Sequence, residues 1–206
     1  MMIKASLLAV CTLALGATAM PFPQAGQPAI CASKIEAIVP STVSCANAQF
    51  PEECADSSRA APAISRSFTK YGINSKGEQS ALVALMLFES GNFTFNKNHF
   101  PGVPGQGTKN MQSPAFNLLY AQSVFDNHTV GYAQAQGPEA VLRLVSNDNE
   151  SFGSAAWFLS SQCNQTVRDS LATGTKEGWT TFLTGCVGTT DTPERDAVWV
   201  ATNAVL

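Results

Sequence analysis

Ala81-Leu-Val-Ala-Leu-Met-Leu-Phe88 is an unbroken apolar run, and the residue that follows it is a glutamate, Glu89. Ahead of the run, Ser75-Lys-Gly-Glu78 has the form of a capping box, a serine that caps and a glutamate three residues later that reaches back. Gly91 stands where a helix closes. The segment therefore reads as an uncharged apolar helix that ends on a carboxylate. A carboxyl group held against apolar walls has its charged form disfavoured, which is the condition a glycosidase sets for its general acid.

Helical signals continue to the C-terminus. Ser113-Pro114, Gly137-Pro138 and Thr192-Pro193 each place proline at a first helical position. Behind them apolar residues recur at helical spacing: Phe116, Leu119, Tyr120 and Val124; Val141, Leu142 and Val145; Val198, Trp199 and Val200. Two further helices are expected around Ala155–Leu159 and Trp179–Leu183. Strand signals are nearly absent and no internal repeat is present. The fold class is mostly α, a single helical domain over residues 59–206. Residues 20–58, rich in Pro, Ala, Ser and Cys, form a loop-rich N-terminal arm, with one short helix expected around Ser33–Ala37.

Residues 1–19 have the order of a secretory leader: Lys4, an apolar run from Ala5 to Leu15, then Ala17-Thr18-Ala19 as a cleavage site. Four Asn-x-Ser/Thr sequons, at Asn92, Asn127, Asn149 and Asn164, fit export through a glycosylating pathway. An extracellular, secreted protein is the expectation. Cleavage would leave five cysteines to pair in an oxidising compartment. Cys163 with Cys186 would clip the ends of a helical stretch, and Cys45 with Cys54 would close a small N-terminal loop. Cys31 would then be free, joined to another chain or lost with a propeptide; Cys31–Cys45 and Cys31–Cys54 remain as alternatives.

The formal net charge is −3, and losing Lys4 makes it more negative. Nucleic acid needs a basic face and is not an expected partner. No apolar run reaches the length of a membrane span. His99 and His128 are the only histidines, too few for metal sites or Ser-His-Asp arrangements, and no cysteine pattern has zinc-site spacing. No metal and no cofactor is implied. Gly102-Val-Pro-Gly-Gln-Gly-Thr-Lys109 departs from phosphate-loop spacing. Residues 91–110, rich in Gly, Pro, Asn and aromatics, form either the wall of a groove or a surface excursion.

Leu87-Phe-Glu-Ser-Gly91 followed by Gly107-Thr-Lys-Asn-Met-Gln112 resembles the lysozyme-like superfamily, in particular its soluble lytic transglycosylase and goose-type lysozyme branch. Glu89 and Ser90 match that branch's catalytic Glu-Ser at a helix end, and Met111-Gln112 its Gly-x-Met-Gln segment, with Gly105 or Gly107 as the glycine. The spacing to Met-Gln is longer than in the family. Its later tyrosine motif has only Tyr120 and Tyr132 as positional candidates.

The resemblance implies a lysozyme-like domain that cleaves β-1,4-linked N-acetylated sugars, with Glu89 as general acid/base. Ser90, Asn110, Gln112 and Tyr120 are the implied substrate-binding residues. The implied partner is a polysaccharide or cell-wall glycan, met by a monomer. A second carboxylate would have to come from Asp126, Asp148 or Glu150, none of which the sequence selects, so one-carboxylate chemistry fits better. The competing expectation is a secreted, non-catalytic protein of the same fold that binds glycan or a surface. A Glu89 buried in a groove shared with Gln112 favours the first.

Overall fold

The computed structural model describes residues 30–206, and the leader expected over 1–19 lies outside the described residues. The α-helices among the described residues are α1 (Ala32–Ile38), α2 (Ser57–Tyr71), α3 (Lys76–Glu89), α4 (Pro114–Val124), α5 (Asn127–Ala135), α6 (Pro138–Leu144), α7 (Asp148–Gln162), α8 (Gln165–Ala172), α9 (Lys176–Phe182) and α10 (Pro193–Val205). There is no sheet in this region, only two antiparallel bridges that join Lys97 to Gly107 and Gly107 to Gln112. The chain is mostly helical, as its periodicity implies.

Helix starts follow local chemistry. The capping box at Ser75 is complete, with Ser75 accepting from the Glu78 amide and Glu78 reaching back to the Ser75 amide. Pro114, Pro138 and Pro193 occupy first-turn positions, where a missing amide hydrogen costs nothing. Ser113, Asp126, Asn147, Asn164 and Thr192 each cap a helix with a side-chain oxygen.

Helix α3 has no polar face over its middle, and Ala81 to Leu87 are all buried. Such a helix must be covered on every side, and α10, α8 and α7 pack around it. Its apolar cluster includes Ile64 and Phe68 of α2, Phe152 of α7 and Trp179 of α9. A second cluster gathers Tyr120, Val130, Val141, Val145, Trp157 and Phe158. Helix α7 supplies both, with Phe152 in the first and Trp157 and Phe158 in the second.

The N-terminal arm is less loose than its composition implies. It carries α1 and a 3-10 turn over Pro40–Val43, and Ile30 and Ile35 are buried in the α3 cluster. Cys45–Cys54 and Cys163–Cys186 are bridged, which excludes the alternative partners for Cys31 among these residues. No described cysteine is free, which removes a free thiol from the fates the sequence leaves open for Cys31. No helix among the described residues is long and apolar enough to cross a membrane.

Candidate active site

A cleft of about 280 Å³ opens at the C-terminal end of α3, and its lining includes Glu89, Asn110, Gln112, Phe158, Thr189 and Arg195. It sits on the seam between the two apolar clusters, since Leu85 comes from one and Phe158 from the other. Of the two readings left open for residues 91–110, the groove wall holds for Gln106 and Asn110, which line the cleft with Glu89. Leu85, Phe116, Phe158 and Val187 supply the apolar walls.

One wall is different. Arg195 places Nη1 2.6 Å from Glu89 Oε1, with the two side chains 11% and 20% exposed. Nη1 is buried and makes no aligned hydrogen bond, so the contact is a close charge pair, not a hydrogen-bonded fork. Arg195 Cζ also lies 4.3 Å from the centre of the Phe88 ring, a cation–π contact. A carboxylate facing a guanidinium is not the purely apolar environment expected for Glu89.

Ser90 does not bond to Glu89. Its hydroxyl is buried, donates to Met86 O at 2.6 Å and accepts from the Phe93 amide at 2.9 Å. It closes the helix end and starts the turn that follows, which is the capping role. That turn is tight: Asn92 and Phe93 have φ of 60° and 68°, a region that residues other than glycine seldom enter. Thr108 (64°) and Met111 (48°) do the same on the facing segment. Left-handed residues thus follow Glu89 and bracket Asn110, and backbone strain of this kind clusters at functional sites.

The strain is held by contacts outside the cleft. Lys109 is completely buried, and its Nζ donates to the carbonyls of Glu53 (2.8 Å), Phe93 (3.0 Å) and Phe95 (3.1 Å). Three acceptors match the three hydrogens of an ammonium group. Burial pushes its pKa down to about 7, partly offset by the charges of Asp148 and Glu53. Lys109 therefore ties the turn after Glu89 to the Asn110 segment. Gly107 carries both bridges, and a Cβ there would lie 2.3 Å from Asn96 O. Only glycine fits that crossing.

Asn110 and Gln112 are set in a chain of amides. Asn110 Oδ1 accepts from Ser154 Oγ (2.7 Å), and Asn110 Nδ2 donates to Gln112 Oε1 (3.3 Å). Gln112 Nε2 donates to Asn117 Oδ1 (2.8 Å), and Asn117 Nδ2 donates to Gly105 O (2.8 Å). Asn110 Oδ1 also accepts from Thr108 Oγ1 (2.8 Å), which leaves Asn110 one amide hydrogen, while Gln112 keeps one amide hydrogen and one acceptor position.

Tyr120 lies elsewhere. It is 1% exposed, its ring packs on Trp157, and it lines a different cavity with Tyr71 and Glu150. Burial, and then Tyr71, raise its pKa far above that of a free tyrosine. Tyr132 is exposed, away from the cleft. Asp126 caps α5, Asp148 pairs with Arg59 at 2.9 Å, and Glu150 lines the Tyr120 cavity. None of the three reaches Glu89's cleft, whose only carboxylate among the described residues is Glu89 itself.

A larger cavity of about 470 Å³ includes Glu53, Asn96, His99 and Arg143 in its lining. Its most buried carboxylate is already committed: Glu53 Oε1 meets His99 Nε2 at 2.8 Å, and Oε2 accepts from the Asn96 amide at 2.8 Å. His99 stacks on Phe50 with ring centres 3.7 Å apart. Of the sequons, Asn127, Asn149 and Asn164 are exposed, whereas Asn92 is half-buried in the strained turn.

Arg195, Lys109, Asn117 and Thr189 were not anticipated as site residues. Lys109 and Asn117 lie within a few positions of the Met-Gln pair, and that proximity was the available signal. Arg195 and Thr189 reach the cleft from the far end of the chain, and no local spacing announces them.

No protein-family model matches the chain, and no solved structure matches it. The chain is similar to a bifunctional dioxygenase (DOX)-epoxy alcohol synthase (EAS) of Fusarium oxysporum (strain Fo5176), 42% identical over 145 residues. The match covers 65% of this chain and 11% of that protein. The chain thus spans about a tenth of the relative's length.

Proposed function

We propose that the Glu89 cleft cleaves β-1,4-linked N-acetylated glycans outside the cell, in the manner of the lysozyme-like proteins that its motifs resemble. The observation that carries this reading is the convergence of Glu89, Asn110 and Gln112 on one cleft with apolar walls. Protonated Glu89 would donate to the oxygen between two sugars as the C1–O bond breaks. With Glu89 as the sole carboxylate of the cleft among the described residues, the ending that fits is intramolecular. The sugar's own C6 hydroxyl attacks C1, its proton passes to Glu89, and an anhydro ring closes. The spare amide positions of Asn110 and Gln112 would meet hydroxyl and acetamido groups. Export fits the leader-like N-terminus and the disulfides, which persist in oxidising compartments.

The Arg195 contact favours a second reading, a glycan- or surface-binding protein of the same fold without catalysis, because a guanidinium already engages the Glu89 carboxylate. The activities in the relative's name belong to a protein about nine times as long as the matched segment.

The test is product release from purified peptidoglycan and chitin oligomers by the protein and by its Glu89→Gln variant, with fragments read by mass spectrometry. Cleavage that falls by about 100-fold or more in the variant supports the enzyme, and anhydro or reducing ends name its ending. Glycan binding with no cleavage by either protein would establish the second reading.

A further inference from the structure

We propose that Asn117 is a positioning residue of the cleft. Two fixed backbone carbonyls orient its amide, and that amide orients Gln112 and Asn110 so that each offers an N–H to a ligand's carbonyl oxygen. The proposal rests on the reading of the Glu89 cleft as a glycan site.

An amide side chain has two ends of similar shape and opposite polarity, so the end that faces a neighbour is settled by partners that cannot reverse. Backbone carbonyls are such partners, because they accept and never donate. Asn117, near the start of α4, is completely buried. Its Nδ2 donates to Gly105 O at 2.8 Å and to Gln112 O at 3.3 Å. The backbone holds both carbonyls. Gly105 has φ 78° and stands against α6, where a Cβ would lie 2.5 Å from Pro138 Cβ. Gln112 O also accepts from the Gly107 amide at 3.2 Å. With Nδ2 committed to these carbonyls, Asn117 Oδ1 has to face Gln112.

The rest of the row follows in one direction. Oδ1 of Asn117 takes Nε2 of Gln112, and Oε1 of Gln112 takes Nδ2 of Asn110. Oδ1 of Asn110 is left to the hydroxyls of Thr108 and Ser154. A hydroxyl both donates and accepts, so that end adapts to the row and does not dictate it. Reversal would set Asn117 Oδ1 against two carbonyl oxygens with no hydrogen between them. The hydrogens left over, one on Asn110 and one on Gln112, belong to side chains that line the cleft, as does the Arg195 guanidinium, which only donates. An acetamido carbonyl brings lone pairs and no hydrogen to such a wall. A sugar hydroxyl brings a hydrogen as well, for which these two amides keep a single acceptor position, on Gln112.

Neutron diffraction from crystals of the deuterated parent protein reads the row directly. The deuterons of Asn117 Nδ2 should point at Gly105 O and Gln112 O, and one on Gln112 Nε2 at Asn117. Asn117 Oδ1 facing the two carbonyls overturns the proposal.

Calorimetry with tri-N-acetylchitotriose and cellotriose, two neutral β-1,4-linked trimers that differ in the acetamido group, tests the consequence. The parent should bind the acetylated trimer about tenfold more tightly or better. Asn117→Leu, folded by circular dichroism, removes the anchor and should bring the two affinities to within about twofold of each other. Ser154→Ala, at the adaptable end, should keep the parent's preference. A preference unchanged in folded Asn117→Leu marks a merely structural role and overturns the proposal. Should Asn117→Leu fail to fold, the deuteron positions in the parent decide. Glycan cleavage by a parent with no preference overturns the proposal alone, whereas selective binding with no cleavage keeps it and rejects the enzyme reading.

Discussion

The two ends of α3 each carry a glutamate facing an arginine, yet the pairs are built differently. At the N-terminal end Glu78 is 5% exposed, and one oxygen serves the capping box while the other accepts Arg168 Nε at 2.9 Å. Negative charge at a helix N-terminus is favoured by the macrodipole. At the C-terminal end Glu89 works against that dipole, is 20% exposed, lines a cleft and meets one unaligned nitrogen. A carboxylate that completes a fold is saturated with partners. One that is available for chemistry is held near partners but not saturated by them.

This contrast can be broken most forcefully by exchanging carboxyl for amide at each end. Glu89→Gln should reduce glycan cleavage by about 100-fold or more with little change in melting temperature. Glu78→Gln should lower stability by about 1–3 kcal/mol through its buried partners and leave turnover per folded molecule near the parent value. Thermal melts and product release on the same preparations check both, and the reverse pattern would exchange the roles assigned here.

The next largest effect should come from Lys109, which ties the Glu89 end to the Gly-Gln segment. Lys109→Met leaves the carbonyls of Glu53 and Phe95 without a donor, while Phe93 O keeps the Ala55 amide, and should cost about 3 kcal/mol in denaturant unfolding. The burial cost of Lys109 also titrates. Its folded-state pKa of about 7 lies below the unfolded value of 10.5, so between these limits the unfolded chain binds the extra proton and stability rises with pH. Below about 7 the full penalty is present, and above about 10.5 it is gone. The stability difference between the parent and Lys109→Met should therefore grow across that window, and a flat difference would place the lysine in a better solvated site.

The smallest effect sharpens the comparison from the arginine side. Arg168→Met strands a buried Glu78 and should cost about 1–3 kcal/mol. Arg195→Met should cost about 1 kcal/mol or less, because Glu89 can recover water from the cleft. Urea unfolding of the two variants gives the ranking.

Much of the fold was legible locally. The capping box at Ser75, the prolines at 114, 138 and 193, and the apolar run of α3 depend on residues within a few positions of one another. The nearness of Glu89 and Gln112 in the chain left a groove or a surface excursion open, and the fold chose the groove. Tyr120 was a site candidate only by its position after the Met-Gln pair, and position does not tell a buried ring from a binding ring; its burial against Trp157 does.

What the sequence alone determined about this protein is its helical class, its helix starts and a glutamate at the end of an apolar helix, whereas the structure chose Cys45–Cys54 over the pairings with Cys31. Tertiary structure alone decided what that glutamate faces. Arg195 lies more than a hundred positions away and arrives because α10 packs along α3. Lys109 finds its three carbonyls because two strained turns are folded onto each other. Capping and periodicity act over a few residues. The charge around a carboxyl group depends on every segment the fold brings near it, and no local pattern encodes that sum.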